Sequence, residues 1–171
     1  MAKHRILFVC LGNICRSPMA EGVFRSVIEQ AGVADLFEID SAGLGDWHVG
    51  QAPDTRAQSA ARRRGIDISG QSARQVTHAD YAHFDLLLAM DDSNYQELVQ
   101  LAPREARHKI RRFLDFAPHL GTRDVADPFY GGREGFDRAL DLIEEAARGL
   151  LAEILGDDEK ARPKSVQSSS G

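Results

Sequence analysis

The sequence predicts an α/β fold: one doubly wound domain whose four-stranded parallel sheet carries helices on both faces. Three observations predict it. Short, continuous apolar runs recur along the chain, as strands buried on both faces of a parallel sheet require. Segments with apolar residues three or four apart separate most of these runs, the mark of helices that cover a sheet. At 171 residues the chain suits a single domain, and at this size about 70% of the unfolded surface can be buried. In such a fold, ligands sit at the carboxyl ends of the strands.

Ile6-Leu7-Phe8-Val9 is the first strand and stops at Cys10. After Leu11-Gly12-Asn13-Ile14-Cys15-Arg16, Ser17 suits a helix N-cap, Pro18 the first helical position and Glu21 the opening turn. That helix runs to about Gln30, with Met19, Val23, Val27 and Ile28 facing the sheet. Phe37 to Ala42 is the second strand, ended by Gly43 and Gly45 before a loop through Asp46-Trp47-His48. Pro53-Asp54-Thr55 opens a helix to about Arg64, where Gly65 stops it. Phe84 to Met90 is the third strand, and Asp91-Asp92-Ser93 can cap a helix to about Leu101. Ile110 to Phe113 is a weaker fourth strand. Asp115 to Gly132 reads as irregular, and so long a segment in a compact domain is often functional. Phe136, Leu140, Ile143, Ala147, Leu150, Leu151 and Ile154 recur at helical spacing, so the last helix spans about Arg133 to Leu155 and Gly156 ends it. The domain is therefore bounded at residues 1–156. The polar remainder, 157–171, is expected to be a disordered tail.

Lys and Arg number 21 against 26 Asp and Glu, a net charge of −5. That balance argues against nucleic acid or an anionic membrane as partner, so any anion must be held by a local site. No apolar run approaches the roughly 18 to 20 residues of a membrane span, and Met1 to His4 leads into a strand rather than a secretory signal. A cytoplasmic protein is the expectation. The two cysteines, Cys10 and Cys15, are too close to staple the fold and too few for a closed zinc site without histidine. Reactive chemistry or inert packing remains for them.

Cys10 lies where the first strand ends, and the loop after it enters a helix N-terminus, where unpaired N–H groups and the helix dipole favour anions. Gly12 is expected to supply the torsions of a tight anion-binding nest. Arg16 can return across the loop with a forked guanidinium that matches two phosphate oxygens. The same surroundings favour thiolate at Cys10, and Ser17 can donate a hydrogen bond to it. A merely buried cysteine would have no reason to be followed by Gly, Asn, Arg and Ser at a strand-to-helix junction.

The run Cys10-Leu11-Gly12-Asn13-Ile14-Cys15-Arg16-Ser17-Pro18 resembles the C-x5-R-S signature loop of the low-molecular-weight protein tyrosine phosphatases, in their bacterial-type members. Asp127-Pro128 resembles that family's general-acid motif, Ser41 and Trp47 fall where it has a serine and an aromatic loop residue, and Ala73-Arg74-Gln75-Val76 resembles its A-R-Q-[IV] segment. The resemblance implies a flavodoxin-like, phosphotyrosine phosphatase I-like sheet and hydrolysis of protein tyrosine phosphate through a phosphocysteine. Cys10 would be the nucleophile, Arg16 the phosphate clamp and Asp127 the general acid and base, with no metal and no cofactor. Leu11, Gly12, Asn13, Ile14, Cys15 and Ser17 would surround the phosphate, and Trp47, Phe129 and Tyr130 would flank the mouth. Asn13, Ser17, Ser41 and Gln71 would support the loop. Cys15 would form a disulfide with Cys10 on oxidation, shielding the nucleophile. The implied partner is a phosphotyrosine protein, with a bacterial tyrosine kinase as one such substrate, and the implied assembly is a monomer or weak dimer.

Two departures stand out. Phe129 occupies the place of the first of two tyrosines, leaving only Tyr130 open to phosphorylation, and Gln71 replaces a histidine that supports the loop asparagine in some members. Thioredoxin-coupled arsenate reductases share the fold and loop but need further cysteines, and none follows Cys15. Protein-arginine phosphatases resemble the chain too, with Thr where this sequence has Ile14, so Ile14 favours tyrosine. A non-hydrolytic phosphocarrier would gain nothing from Asp127. His4, His48, His78, His83, His108 and His119 show no metal-ligand spacing and read as solvated or capping residues. Arg62-Arg63-Arg64 and Arg111-Arg112 read as solvated faces, with docking of an acidic partner as the alternative.

Overall fold

A computed structural model describes residues 3–160, apart from the side chains of Tyr130 and Lys160. Four strands, β1 (His4–Cys10), β2 (Phe37–Gly43), β3 (Leu86–Ala89) and β4 (Ile110–Arg112), form one sheet in the order β2-β1-β3-β4. Every pairing is parallel, with Cys10 opposite Gly43 and Val9 opposite Ala89. Five α-helices accompany them: α1 (Arg16–Gln30), α2 (Thr55–Arg62), α3 (His78–His83), α4 (Asp92–Leu101) and α5 (Arg133–Lys160). The doubly wound α/β fold is as the sequence predicts.

The strand alternation divides the core. Ile6, Phe8 and Cys10 of β1, with Leu88 of β3, face a large cluster built with α1, α2 and α5. Leu7 and Val9, with Leu87 and Ala89, face a smaller one that takes in Tyr81 of α3 and Leu98 of α4. Met19, Val23 and Ile28 of α1 are buried on the first face as expected, and Val27 packs at its edge. Phe8 meets Phe113 edge-on at a centroid distance of 5.3 Å and Phe24 at 5.8 Å. Such rings hold the base of β1, and therefore the site above it, in one position.

Several boundaries differ from the sequence reading, each for a local reason. Helix α1 begins at Arg16 with Cys15 as N-cap, so Ser17 lies inside the first turn and Pro18 is not its first residue. The Ser17 hydroxyl turns to the Cys10 sulfur instead of capping the helix. Glu21 sits beyond the first turn and is buried. Gly12 does not adopt a left-handed conformation; Asn13 does, with φ 58°. What Gly12 supplies is room, because a Cβ there would stand 3.0 Å from Cδ2 of His48. Helix α2 ends at Arg62 and Gly65 closes the following turn at φ 77°. Strands β3 and β4 are shorter than their apolar runs, and α3 was not expected: Thr77 and Asp80 form a capping box over only six residues, too short for periodicity to reveal. The 115–132 segment is tightened by 3-10 turns at Phe113–Phe116, Pro118–Leu120 and Pro128–Tyr130.

The expected boundary at residue 156 is corrected. Helix α5 runs through Gly156 to Lys160, and Asp158 on it lies 2.9 Å from Nε2 of His4 on β1. An interior glycine costs a helix about 1 kcal/mol relative to alanine, too little to end one whose face from Phe136 to Ile154 is already buried in the core. The rest of the expected tail lies outside the described residues. Arg63 and Arg64 are not simply solvated: they pair with Asp137, Asp141 and Glu144 and tie α2 to α5. Arg111 pairs with Glu153, and Arg112 with Asp92 while stacking on Tyr95.

Candidate active site

The loop 11–15 wraps over the carboxyl end of β1, and Cys10, 3% exposed, lies beneath it. Its Sγ receives the backbone N–H of Asn13 at 3.3 Å and stands 3.0 Å from Oγ of Ser17. A loop amide and a first-turn hydroxyl thus converge on the sulfur.

Asn13 holds the loop in shape. Its Nδ2 donates to Ser17 Oγ at 2.9 Å and Ser41 Oγ at 3.0 Å, and its Oδ1 accepts the Arg74 backbone N–H at 3.0 Å. Ser41 in turn donates to Gln71 Oε1 at 3.4 Å, and Gln71 Nε2 donates to the Pro18 carbonyl at 3.0 Å. Ser41 and Gln71 thus join Asn13 in one hydrogen-bond network, and Gln71 makes its bonds through an amide that does not titrate. Gly43 is needed for close approach, since a Cβ there would lie 3.0 Å from the Gly12 carbonyl carbon.

Arg16 is almost wholly enclosed, with 3% of its side chain exposed. Nη1 donates to Asp91 Oδ2 at 2.6 Å and to the Val125 carbonyl at 2.9 Å, while Nη2 lies 3.5 Å from Asp127 Oδ2. Burial opposes its charge, but Cys10, Asp91 and Asp127 outweigh burial and hold the guanidinium above its ordinary range. Asp127 is more open, 38% exposed, and its Oδ1 caps the 128–130 turn by accepting the Phe129 N–H at 3.1 Å. Cys15, at the end of the loop, is buried and forms no disulfide, and burial, then Asp54 and Cys10, push its thiol up.

Cys10, Arg16 and Asp127 share the wall of one cavity of about 460 Å³. Leu11, Ile14, Trp47 and Phe129 give it apolar sides. Trp47 is 65% exposed, its ring lying against Gly45. The Tyr130 side chain lies outside what the structure describes. Three neighbours escaped the sequence reading as site residues. Asp91 was read only as a helix cap, which it is through Asn94 N–H at 2.7 Å, but its place after β3, beside β1, also brings it to Arg16. Arg74, in the Ala73–Val76 stretch, meets the loop through its backbone N–H on Asn13 Oδ1. His48 lines the cavity with its Nδ1 3.0 Å from Gln51 Oε1, and one histidine in a loop carries no periodic signal. Among the described residues no three His, Cys, Asp or Glu side chains gather as metal ligands, and no helix is long and apolar enough to cross a membrane.

An enclosed guanidinium beside a buried thiol under a strand-to-helix loop suits a tetrahedral oxyanion, the kind of ligand that cysteine-dependent phosphatases take. The family model described as low molecular weight phosphotyrosine protein phosphatase matches residues 5–161. The chain belongs to that family, and it is a hydrolase of the protein tyrosine phosphatase type. A low molecular weight protein-tyrosine-phosphatase of Streptomyces coelicolor is 44% identical over 154 residues, covering 88% of this chain and 93% of the relative. The crystal structure of a protein tyrosine phosphatase from Entamoeba histolytica is similar with TM-score 0.88 and 38% identity, covering 91% of this chain and 99% of that one. A Drosophila arginine phosphatase is similar with TM-score 0.82 and 31% identity, over 87% and 96% of the two chains.

Proposed function

We propose that the protein hydrolyses tyrosine phosphate in protein substrates, with Cys10 as nucleophile, Arg16 as phosphate clamp and Asp127 as general acid and then base. The observation that carries this reading is the shared cavity wall, in which the sulfur, the enclosed guanidinium and the open carboxylate meet. Cys10 thiolate attacks phosphorus in line, forming an S–P bond as the bond to the tyrosyl oxygen breaks. Asp127, as the carboxylic acid, gives its proton to that oxygen. The carboxylate then takes a proton from water, whose oxygen attacks phosphorus and releases the Cys10 thiolate and inorganic phosphate. Loop N–H groups and Arg16 hold the three equatorial oxygens throughout.

The apolar sides formed by Leu11, Ile14, Trp47 and Phe129 suit an aryl ester, and Ile14 offers no hydroxyl to a guanidino phosphate. Cys15, five residues from Cys10 in the same loop, serves as a resolving thiol: peroxide oxidises Cys10 to a sulfenic acid, and the Cys15 sulfur forms a disulfide with it, its proton leaving with the sulfenic hydroxyl as water. The substrates include a tyrosine kinase carrying phosphotyrosine, and the setting is the cytoplasm.

Hydrolysis of a phosphotyrosine peptide and a phosphoarginine peptide, both with EDTA present, tests the reading. Tyrosine turnover that is abolished in Cys10→Ser and falls about 10²- to 10⁴-fold in Asp127→Ala is the expected result. Preference for phosphoarginine would overturn the substrate, and stable phosphorylation of Cys10 without turnover would replace hydrolysis by phosphate carriage.

A further inference from the structure

A second cavity, of about 280 Å³, opens beside the first and is lined by Thr55, Arg56, Ser59, Arg63, Arg133 and Phe136. Three guanidinium-bearing residues and two hydroxyl-bearing ones line it, and no carboxylate does, on a chain whose overall charge is negative. Thr55, Ser59 and Arg63 recur at four-residue spacing and share one face of α2 and its C-cap. Arg133 opens α5 across the cleft, and among the described residues it has no carboxylate within ion-pair distance. Asp54 and Asp137 engage Arg56 and Arg63 but do not line the cavity.

The two cavities are joined through one guanidinium. The Arg56 guanidinium lies 5.2 Å from the centroid of Phe129, which walls the catalytic cavity, and 5.0 Å from that of Phe136, which walls the basic one. A peptide whose phosphotyrosine ring lies against Phe129 can reach these arginines with a neighbouring residue.

We propose that this cleft is a substrate subsite that binds an anionic side chain near the phosphotyrosine, so that acidic or doubly phosphorylated peptides are the preferred substrates. The proposal rests on the phosphotyrosine hydrolysis proposed above. Planar forked donors and adjacent hydroxyls suit both carboxylate and phosphate oxygens, and the two sources are separable by experiment.

Peptides with glutamate, glutamine, phosphoserine or serine placed in turn at each position around the phosphotyrosine would be assayed for kcat/KM with the native chain, Arg133→Gln and Arg63→Gln. Phenyl phosphate, too small to reach the cleft, is the control. At some position glutamate should exceed glutamine, or phosphoserine exceed serine. Arg133→Gln should reduce that preference about five-fold, the upper range for an exposed ion pair, mainly through KM, with phenyl phosphate turnover unchanged. A preference for glutamate identifies carboxylate as the occupant, and one for phosphoserine alone identifies phosphate. Arg63 also ties α2 to α5, so its variant is read only beside a thermal melt; Arg133→Gln decides the matter if Arg63→Gln fails to fold. Absence of any acid preference, or an equal loss on acidic and neutral peptides, would overturn the subsite. Failure of the native chain on phenyl phosphate and on every peptide would instead sink the hydrolysis reading.

Discussion

Replacing Asn13 by alanine and by glycine separates the two ways in which this residue shapes the loop. Its side chain makes three hydrogen bonds, to Ser17, Ser41 and the Arg74 N–H, while its backbone sits at φ 58°. At about 1 kcal/mol each, the bonds account for roughly 3 kcal/mol. Asn13→Ala loses them and keeps a Cβ in the left-handed region, whereas Asn13→Gly loses the bonds but relieves about 1 kcal/mol of that backbone cost. The Arg74 N–H is left without its partner in both variants, and Ser17 and Ser41 keep other contacts. Felt globally, a loss of that size would lower Tm by roughly 10 °C in a chain of this length. Felt locally, it opens the loop and weakens inorganic phosphate as a competitive inhibitor by at least about tenfold. Urea denaturation and phosphate inhibition, measured on both variants, report the two effects. Native phosphate affinity in Asn13→Ala, or a glycine variant no better than the alanine one, would refute the account.

Asp91→Asn should preserve α4, because asparagine caps a helix as well as aspartate does. It should weaken phosphate inhibition about 10- to 100-fold, the loss of a charge-assisted bond to Arg16; unchanged inhibition would mean that Arg16 is aligned without it. Burial pushes Asp80 up, but Arg74 and the Thr77 N–H outweigh it and hold the carboxyl below its ordinary 3.8. A lowered folded value stabilises the protein above the unfolded one, and that contribution is lost as pH falls through the folded value. Asp80→Asn should therefore be less stable than the native chain at neutral pH, with the gap closing below pH 3.8; a pH-independent gap in urea melts would contradict this. Iodoacetamide should label Cys10 well before Cys15, whose thiol burial keeps protonated, and peptide mass spectrometry showing equal rates would remove the assigned difference.

Much of the fold was legible because its signals are local. The apolar runs 6–9 and 84–90 announced strands buried on both sides, and Met19, Val23 and Ile28 announced the face of α1 that lies on them. The misreadings have a common cause. Ser17 and Gly12 were assigned by residue preference, and tertiary neighbours then claimed them otherwise: the Cys10 sulfur took the hydroxyl and the His48 ring took the space. Gly156 looked like a stop because a single glycine disfavours helix, yet the packing of α5 carried the helix past it.

The sequence by itself determined the parallel α/β layering and the strand-to-helix loop that follows Cys10, since strand composition, the junction at Cys10 and the spacing to Arg16 all lie within short stretches of chain. Only the tertiary structure decided what surrounds that loop. Asp91, Arg74, His48 and Asp127 come to it from separate elements, brought together because parallel strands align their carboxyl ends on one edge of the sheet. That convergence depends on the order β2-β1-β3-β4 and on the path of the 115–132 segment. Neither is written in any local pattern, because long-range pairing is selected by the burial of the whole core.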